Sequence, residues 1–328
     1  MKAFPLLRYL AAILAITTGV LIIGGCAARP HNVTNPLAGH RLYFDPLNPA
    51  AVAVRELAAA GNQADADRLA ILAREPTAQW LTGSTDDIST LTNIINDAAA
   101  AQTLATVVLY NLPQRDVGAG QSSGGAADTT AYLHWVETMA RTIGDHAAIV
   151  IMEPDGVTAV ADQHLTGQAA QARLATLRAG IQLLAKHPNT FVYLDAGNAG
   201  WQSPEAMVDP LKQAGVQQAR GIAVNVSNFF SDAASTSYAE ALAQRLGGTG
   251  IVIDTSRNGT GPSDMADRPW CNPPGRTIGQ LPRINSTDGP VQAWLWIKRP
   301  GESDGACRPG EPPAGQWWLH YALALVQQ

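Results

Sequence analysis

The chain has 328 residues, with 22 Lys and Arg against 27 Asp and Glu, a net charge of -5 and 46% hydrophobic residues. That length and apolar content can bury a large core, as one barrel or as two ordinary domains. The mild acidity and the lack of any Lys/Arg run argue against a nucleic-acid partner.

Residues 1–28 read as a targeting segment and stay outside the fold. Lys2 and Arg8 supply a positive flank, and Leu10 to Ile23 is apolar but short for a membrane span. Ile23-Gly24-Gly25-Cys26 resembles a bacterial lipobox, which makes Cys26 a lipidation candidate. Cleavage after Ala27-Ala28 and an uncleaved anchor are the alternatives, and all three export the protein. Residues 29–40 then form a tether, and 41–328 a single domain.

From residue 50 the pattern alternates. Helical periods over 50–74, 86–102, 128–144, 167–187, 203–214 and 236–247 interleave with apolar runs at 78–81, 105–110, 147–152, 190–194, 220–224, 250–253 and 291–297. Such alternation predicts a parallel sheet, and about seven units favour a closed α/β barrel over a doubly wound sheet. No Gly-rich phosphate turn follows the first strand, which argues against a nucleotide fold. Between Asp254 and Val291 lies a long segment rich in Gly, Pro, Arg and Trp without helical period. A loop of that length in a compact domain is expected to be functional.

The run Ala147 to Met152 stops at Glu153-Pro154-Asp155, since Pro154 cannot continue a ladder. Similar punctuation recurs. Trp80 closes the first strand; Tyr110, Arg115 and Asp116 follow the second; Asp155 follows the third and Asp195 the fourth. Asn225 and Asn228 follow the fifth, Asp254 and Arg257 the sixth, and Lys298, Glu302 and Asp304 the seventh. In a barrel these positions ring one mouth, where such folds build their sites.

Three chemistries compete for that ring. Metal-assisted catalysis needs convergent ligands, but His31, His40, His134, His146, His164, His187 and His320 fall mostly in the tether, helices and loops. Acid/base hydrolysis of a glycosidic bond needs two carboxyl groups in different protonation states. Crowding Asp155 with Asp116 and Asp195 would raise one member's pKa, and rim Trp and Tyr offer faces for sugar rings. A non-catalytic sugar binder needs aromatic platforms without clustered acids, although an inactivated enzyme would look the same. The carboxylates favour hydrolysis.

Each residue has a plainer reading. Asp254 with Arg257 is expected to be a structural ion pair, and Glu153 to prop its loop. Trp135, Trp294, Trp296, Trp317 and Trp318 are expected in the core. Cys271 and Cys307 are the remaining thiols of an exported chain, so pairing is the simplest reading. A metal site is the rival, poorly served by two thiols without an adjacent His.

With these residues in hand, the chain resembles glycoside hydrolase family six, the inverting cellulases, and especially the bacterial endo-β-1,4-glucanases. Val108 to Asp116 (VLYNLPQRD) looks like the family's first signature and Ile149 to Asp155 (IVIMEPD) its second. Tyr193-Leu194-Asp195-Ala196-Gly197, Asn225-Val226-Ser227-Asn228, Ile253 to Gly259, Trp270-Cys271-Asn272-Pro273 and Trp296 to Gly305 agree further, from about residue 37 onward.

The resemblance implies a distorted seven-stranded parallel barrel without metal or organic cofactor. The expected protein is a monomer acting on a β-1,4-glucan, with no nucleic acid and membrane attachment through the N-terminus alone. It implies Asp155 as general acid, Asp116 as its proton-handling neighbour, Asp304 as base through water, and Tyr110 pressing on the sugar at the cleavage subsite. Lys298 and Glu302 would hold sugar, Trp80, Trp201 and Trp270 would stack on it, and Asp195 and Asn225 would give polar support.

Four positions depart from the family pattern. The first signature normally continues with Cys, here Val117, and its partner past the general acid is absent from 155–165. One disulfide is therefore gone, while Cys271–Cys307 remains to tie the Trp270 loop to the loop of Asp304. Gly156 replaces a preferred Ser, and Asn198 an expected His. By analogy with processive members, which enclose substrate in long loops, the short 306–313 segment predicts an open cleft and internal cleavage. Exo action is the alternative.

Overall fold

The computed structural model describes Met1, residues 33–118 and residues 120–327. The targeting segment and Cys26 lie outside the described residues. The helical pattern over 50–74 is two helices, α1 (Pro49–Ala59) and α2 (Gln63–Leu69), followed by a short 3-10 turn. Gly61 takes a left-handed φ of 77° between them, and Asn62 caps α2 by accepting the Asp65 N–H. Glycine tolerates that geometry without the Cβ penalty, and Asn is a strong cap.

There follow β1 (Gln79–Leu81), α3 (Asp87–Ala100), β2 (Ala105–Leu109), α4 (Thr129–Ile143), β3 (Ala148–Met152), α5 (Thr158–Ala161) and α6 (Gly167–Leu184). Next come β4 (Thr190–Asp195), α7 (Pro204–Gln213), β5 (Gly221–Val224), α8 (Asp232–Arg245), β6 (Gly250–Asp254), β7 (Arg283–Ile284), β8 (Val291–Leu295) and α9 (Leu319–Leu325). Side-chain caps set three helix starts: Asp128 accepts from Ala131, Ser203 from Ala206 and Ser231 from Ala234.

The strands order β1-β2-β3-β4-β5-β6-β8-β7, parallel throughout except for the two-residue β7, which runs antiparallel on β8. The seven parallel strands match the seven apolar runs, and the sheet curls into a distorted barrel. Alternation along each strand divides the core into two layers. Val108, Ile149, Ile151, Tyr193, Ala223 and Val252 fill the inside, while Val107, Val150, Val192, Ile222 and Ile251 face the helices. A register shift opposite Ile251 and Val252 gives β8 an extra residue, Gln292, whose side chain accepts from the Tyr193 hydroxyl and donates to the Thr34 carbonyl.

The sheet does not close by a ladder between β8 and β1. A single backbone bond joins them, Ala78 N–H to Trp296 O at 3.0 Å. Side chains finish the seam: Trp80 Nε1 donates to Ile297 O at 2.8 Å, and Arg299 Nε to Ala78 O at 3.1 Å. At the N-terminal ends of the strands, residues 33–42 seat in the barrel floor. Leu37 is fully buried in the inner core, and the Asn35 amide donates to Asn285 O and Gln292 O at 2.7 and 3.2 Å. The last residues of the expected tether are thus packed against the sheet.

Candidate active site

At the C-terminal ends of the strands lies a trough of about 1140 Å³. Its wall includes Trp80, Tyr110, Asp116, Asp155, Trp201, Trp270, Lys298, Glu302 and Asp304, contributed by loops far apart in sequence. Several strand-end residues hold left-handed φ without being glycine: Gln114 54°, Asp116 57°, Glu153 49°, Asp155 67°, Asn225 64° and Ser227 58°. Each such residue costs about 1–3 kcal/mol, a strain that concentrates at functional sites. The surrounding hydrogen bonds hold it in place.

Glu153 is fully buried, and its carboxyl accepts the Asn111 and Leu112 N–H groups, joining the end of β2 to that of β3. Burial raises its pKa to about 7, against the pull of those two N–H groups. The expected prop is in place. Asp155 follows, with its N–H donated to Asp195 Oδ2 at 3.0 Å. Burial, then the charges of Asp116 and Asp162, push its carboxyl up to about 7. An acid that keeps its proton near neutrality is thereby assembled. Asp116 sits in a turn closed on its own side chain, Oδ2 accepting the Ser122 N–H. Arg115 braces that turn by donating to Ser122 O, Thr82 O and Tyr110 O, each at 2.7 Å, with its guanidinium 5.1 Å from the Tyr110 ring centre.

Another part of the wall is built around Asp304. Its Oδ2 accepts from Arg257 at 2.7 Å and from the Asn272 N–H at 2.9 Å, while the Asp304 N–H donates to Asn272 Oδ1 at 2.7 Å. Lys298 Nζ lies 3.8 Å from Oδ1. Cys271, beside Asn272, is disulfide-bonded to Cys307, so the bridge ties both partners of this reciprocal pair together. The bond also consumes two ligand atoms of the one His/Cys/Asp/Glu trio (Cys271, Cys307, Glu311) that converges among the described residues.

Arg257 therefore pairs with Asp304, and the expected Asp254–Arg257 ion pair is not formed. Asp254 is instead a backbone hub whose oxygens accept from Ser227, Ser256, Ile297 and Lys298 N–H groups. Two residues grouped with substrate contacts also lie beneath the wall rather than on it. Asp195 accepts from Asp155 and Gly197, and Asn225 bonds Phe230 and the Asp254 carbonyl. Of the five core-assigned Trp, Trp296 alone is fully buried; Trp135, Trp294, Trp317 and Trp318 are half-buried. Trp80 meets Tyr110 edge to face at 5.4 Å, leaving both rings on the trough.

The matching family model, Glycosyl hydrolases family 6, spans residues 37–328. The chain belongs to glycosyl hydrolase family 6. It is 39% identical over 260 residues to Endoglucanase A of Cellulomonas fimi, a match covering 78% of this chain but only 55% of that protein. It is 37% identical over 310 residues to Endoglucanase 1 of Streptomyces halstedii, covering 92% and 91% of the two. Its structure is similar to the endoglucanase Cel6 from Mycobacterium tuberculosis, solved with methyl-cellobiosyl-4-deoxy-4-thio-β-D-cellobioside. There the TM-score is 0.82 at 39% identity, over 89% of this chain and 98% of that one.

Two departures of this family 6 chain acquire a local reason. A Cβ on Gly156 would lie 2.9 Å from Leu112 Cδ1 and 3.0 Å from the Glu153 carbonyl, so Leu112 occupies the space a Ser would need. Asn198 lines the trough and accepts the Gly200 N–H at 3.0 Å, fixing the turn before Trp201. Several wall residues are not marked in the sequence reading, Arg173 and His164 among them. Arg173 donates to Pro113 O and Gln114 O at 2.8 and 3.0 Å, holding the turn ahead of Asp116. Its signal was an arginine four residues before Leu177, on the buried stripe of α6. His164 also lines the trough; nothing in its spacing marked it.

Proposed function

We propose that this family 6 hydrolase is an exported endo-β-1,4-glucanase that inverts configuration at the anomeric carbon. The observation that carries the reading is the placement of Asp116, Asp155 and Asp304 on one trough, with Asp155 raised to about 7. Asp155 donates its proton to the leaving glycosidic oxygen. Asp116 sits beside it, keeps that proton bound and relays the next one. A water attacks the anomeric carbon and loses its proton toward Asp304, whose charge Arg257 and Lys298 compensate. An inverting enzyme requires acid and base far enough apart for a water to fit between base and sugar, the arrangement proposed for Asp155 and Asp304.

Tyr110 and Trp80 form the floor at the cleavage subsite, where the phenol presses the ring toward distortion. Trp201 and Trp270 extend the platform, and Lys298 and Glu302 bind hydroxyl groups. The short 306–313 segment supports internal cleavage. It is folded back by the Cys271–Cys307 bond and the Arg308–Glu311 pair at 3.1 Å. Export, with Cys26 as the lipid-bearing residue, rests on the sequence, and the mass of the mature N-terminus tests it.

Carboxymethyl-cellulose provides the functional test. Random internal scission collapses viscosity before many reducing ends appear. Reducing ends that accumulate while viscosity persists would contradict endo action, and neither change would contradict hydrolysis itself.

A further inference from the structure

Between Asp155 and α6 stands a pair of side chains that the reaction as described does not use. Residues 157–165 fold back on Asp155: its carbonyl accepts from Thr158 Oγ1 at 3.0 Å and the Ala159 N–H at 3.1 Å, and Leu165 N–H bonds Ala159 O at 2.8 Å. Asp162 ends α5. Its Oδ1 lies 2.8 Å from His164 Nδ1 and accepts the His164 N–H at 3.2 Å, while Oδ2 is buried without a protein partner. The Asp162 carboxyl beside Nδ1 fixes the ring's orientation.

The imidazole is half exposed and reaches the trough wall. It rests against Gly118, two residues beyond Asp116: a Cβ there would lie 2.9 Å from both Cε1 and Nε2, and Gly118 holds a φ of 107°. The Asp116 turn is thus braced by Arg115 and Arg173 from within and by His164 from outside. The resemblance expects a disulfide between these same two segments, and this chain has Val117 and no Cys in 155–165.

We propose that Asp162 and His164 are positioning residues that pin the Asp116 loop to the segment behind Asp155, in place of a covalent bridge. The assignment rests on Asp155 being the general acid. The Asp162–His164 pair sits within one segment and meets the Asp116 loop through the imidazole on Gly118; unlike a disulfide, it also brings the Asp162 carboxyl near the site. The ionisable groups facing Asp155 are Asp116 from the β2 loop, Asp195 from β4, Tyr110 and Asp162, and Asp162 follows burial and Asp116 in holding the Asp155 carboxyl protonated. Facing His164 are Asp162 and the Asp116 loop.

The test measures kcat and KM on a soluble cello-oligosaccharide across pH for the wild type, Asp162→Asn, His164→Ala, His164→Gln, Gly118→Ala and Gly118→Ala with His164→Ala. Asp162→Asn removes a negative charge, so Asp155 binds its proton less tightly and the alkaline limb of kcat moves to lower pH, by about half a pH unit or more. His164→Ala lowers kcat about fivefold or more with little change in KM or thermal midpoint, and Gln restores part of it. Gly118→Ala costs less activity in the His164→Ala background than in the wild type, because the imidazole it would strike is gone. An unmoved limb in Asp162→Asn, or additive Gly118 and His164 effects, overturns the assignment. Failure of the acid reading appears separately, as undiminished turnover in Asp155→Asn.

Discussion

Asp155 and Glu153 stand two residues apart, both raised to about 7, and each predicts a different measurement. Asp155 faces the trough, and as the proposed general acid its protonation would govern rate. The account predicts a kcat that falls as pH rises through about 7. Asp155→Asn should keep oligosaccharide binding while kcat drops by about a thousandfold or more, measured by calorimetry beside turnover. Glu153 is sealed under the wall, so its protonation governs stability. Its folded pKa lies above the unfolded value, so the fold binds the proton more tightly. The group's cost is absent at low pH, grows as pH rises from 4.5 to about 7, and is full above it. That window corresponds to about 3 kcal/mol. Thermal midpoints should therefore fall from mildly acidic to mildly alkaline buffer, and Glu153→Gln should flatten the slope. An equally steep slope in that variant would assign the effect to other groups.

At the scale of elements, the parallel strands were legible because burial on both faces writes continuous apolar runs. Their ends were legible for a related reason: Asn111 and Glu153-Pro154 interrupt those runs where the polypeptide leaves the core. What escaped was set by tertiary structure. Within 50–74 the chain breaks at Gly61-Asn62, where a left-handed glycine and an Asn cap separate α1 from α2. Four-residue α5 and two-residue β7 are too short to carry a period. In the sequence, Arg257 pairs most simply with its neighbour Asp254, three residues away. Folding brings Asp304 closer and leaves Asp254 to the backbone N–H groups. The disulfide expectation stands on the same wall: removing it as Cys271→Ser with Cys307→Ser should cost about 3–4 kcal/mol in the chain-entropy model. Because Asn272 and Asp304 bond reciprocally beside it, kcat should fall more than KM rises. A double Ser variant with wild-type kcat would separate the bridge from the catalytic wall.

For the whole molecule, the barrel's incompleteness is the functional feature. Seven parallel strands were readable, but the missing ladder between β8 and β1 was not, because hydrogen bonds withheld leave no mark on composition. That seam is stitched by Trp80 and Arg299, residues that also line the trough. Closing the floor falls to Asn35 and Leu37 at the opposite end, so the interior is filled from below and accessible from above. The result is one trough lined by Asp116, Asp155 and Asp304. On the proposed reading, with Asp155 as acid and Asp304 as base through water, hydrolysis is a single displacement. The most direct test follows the anomeric proton signals by NMR in the first minutes of cello-oligosaccharide hydrolysis, before mutarotation mixes them. The α-anomer should appear first at the new reducing end; initial formation of the β-anomer would contradict the account.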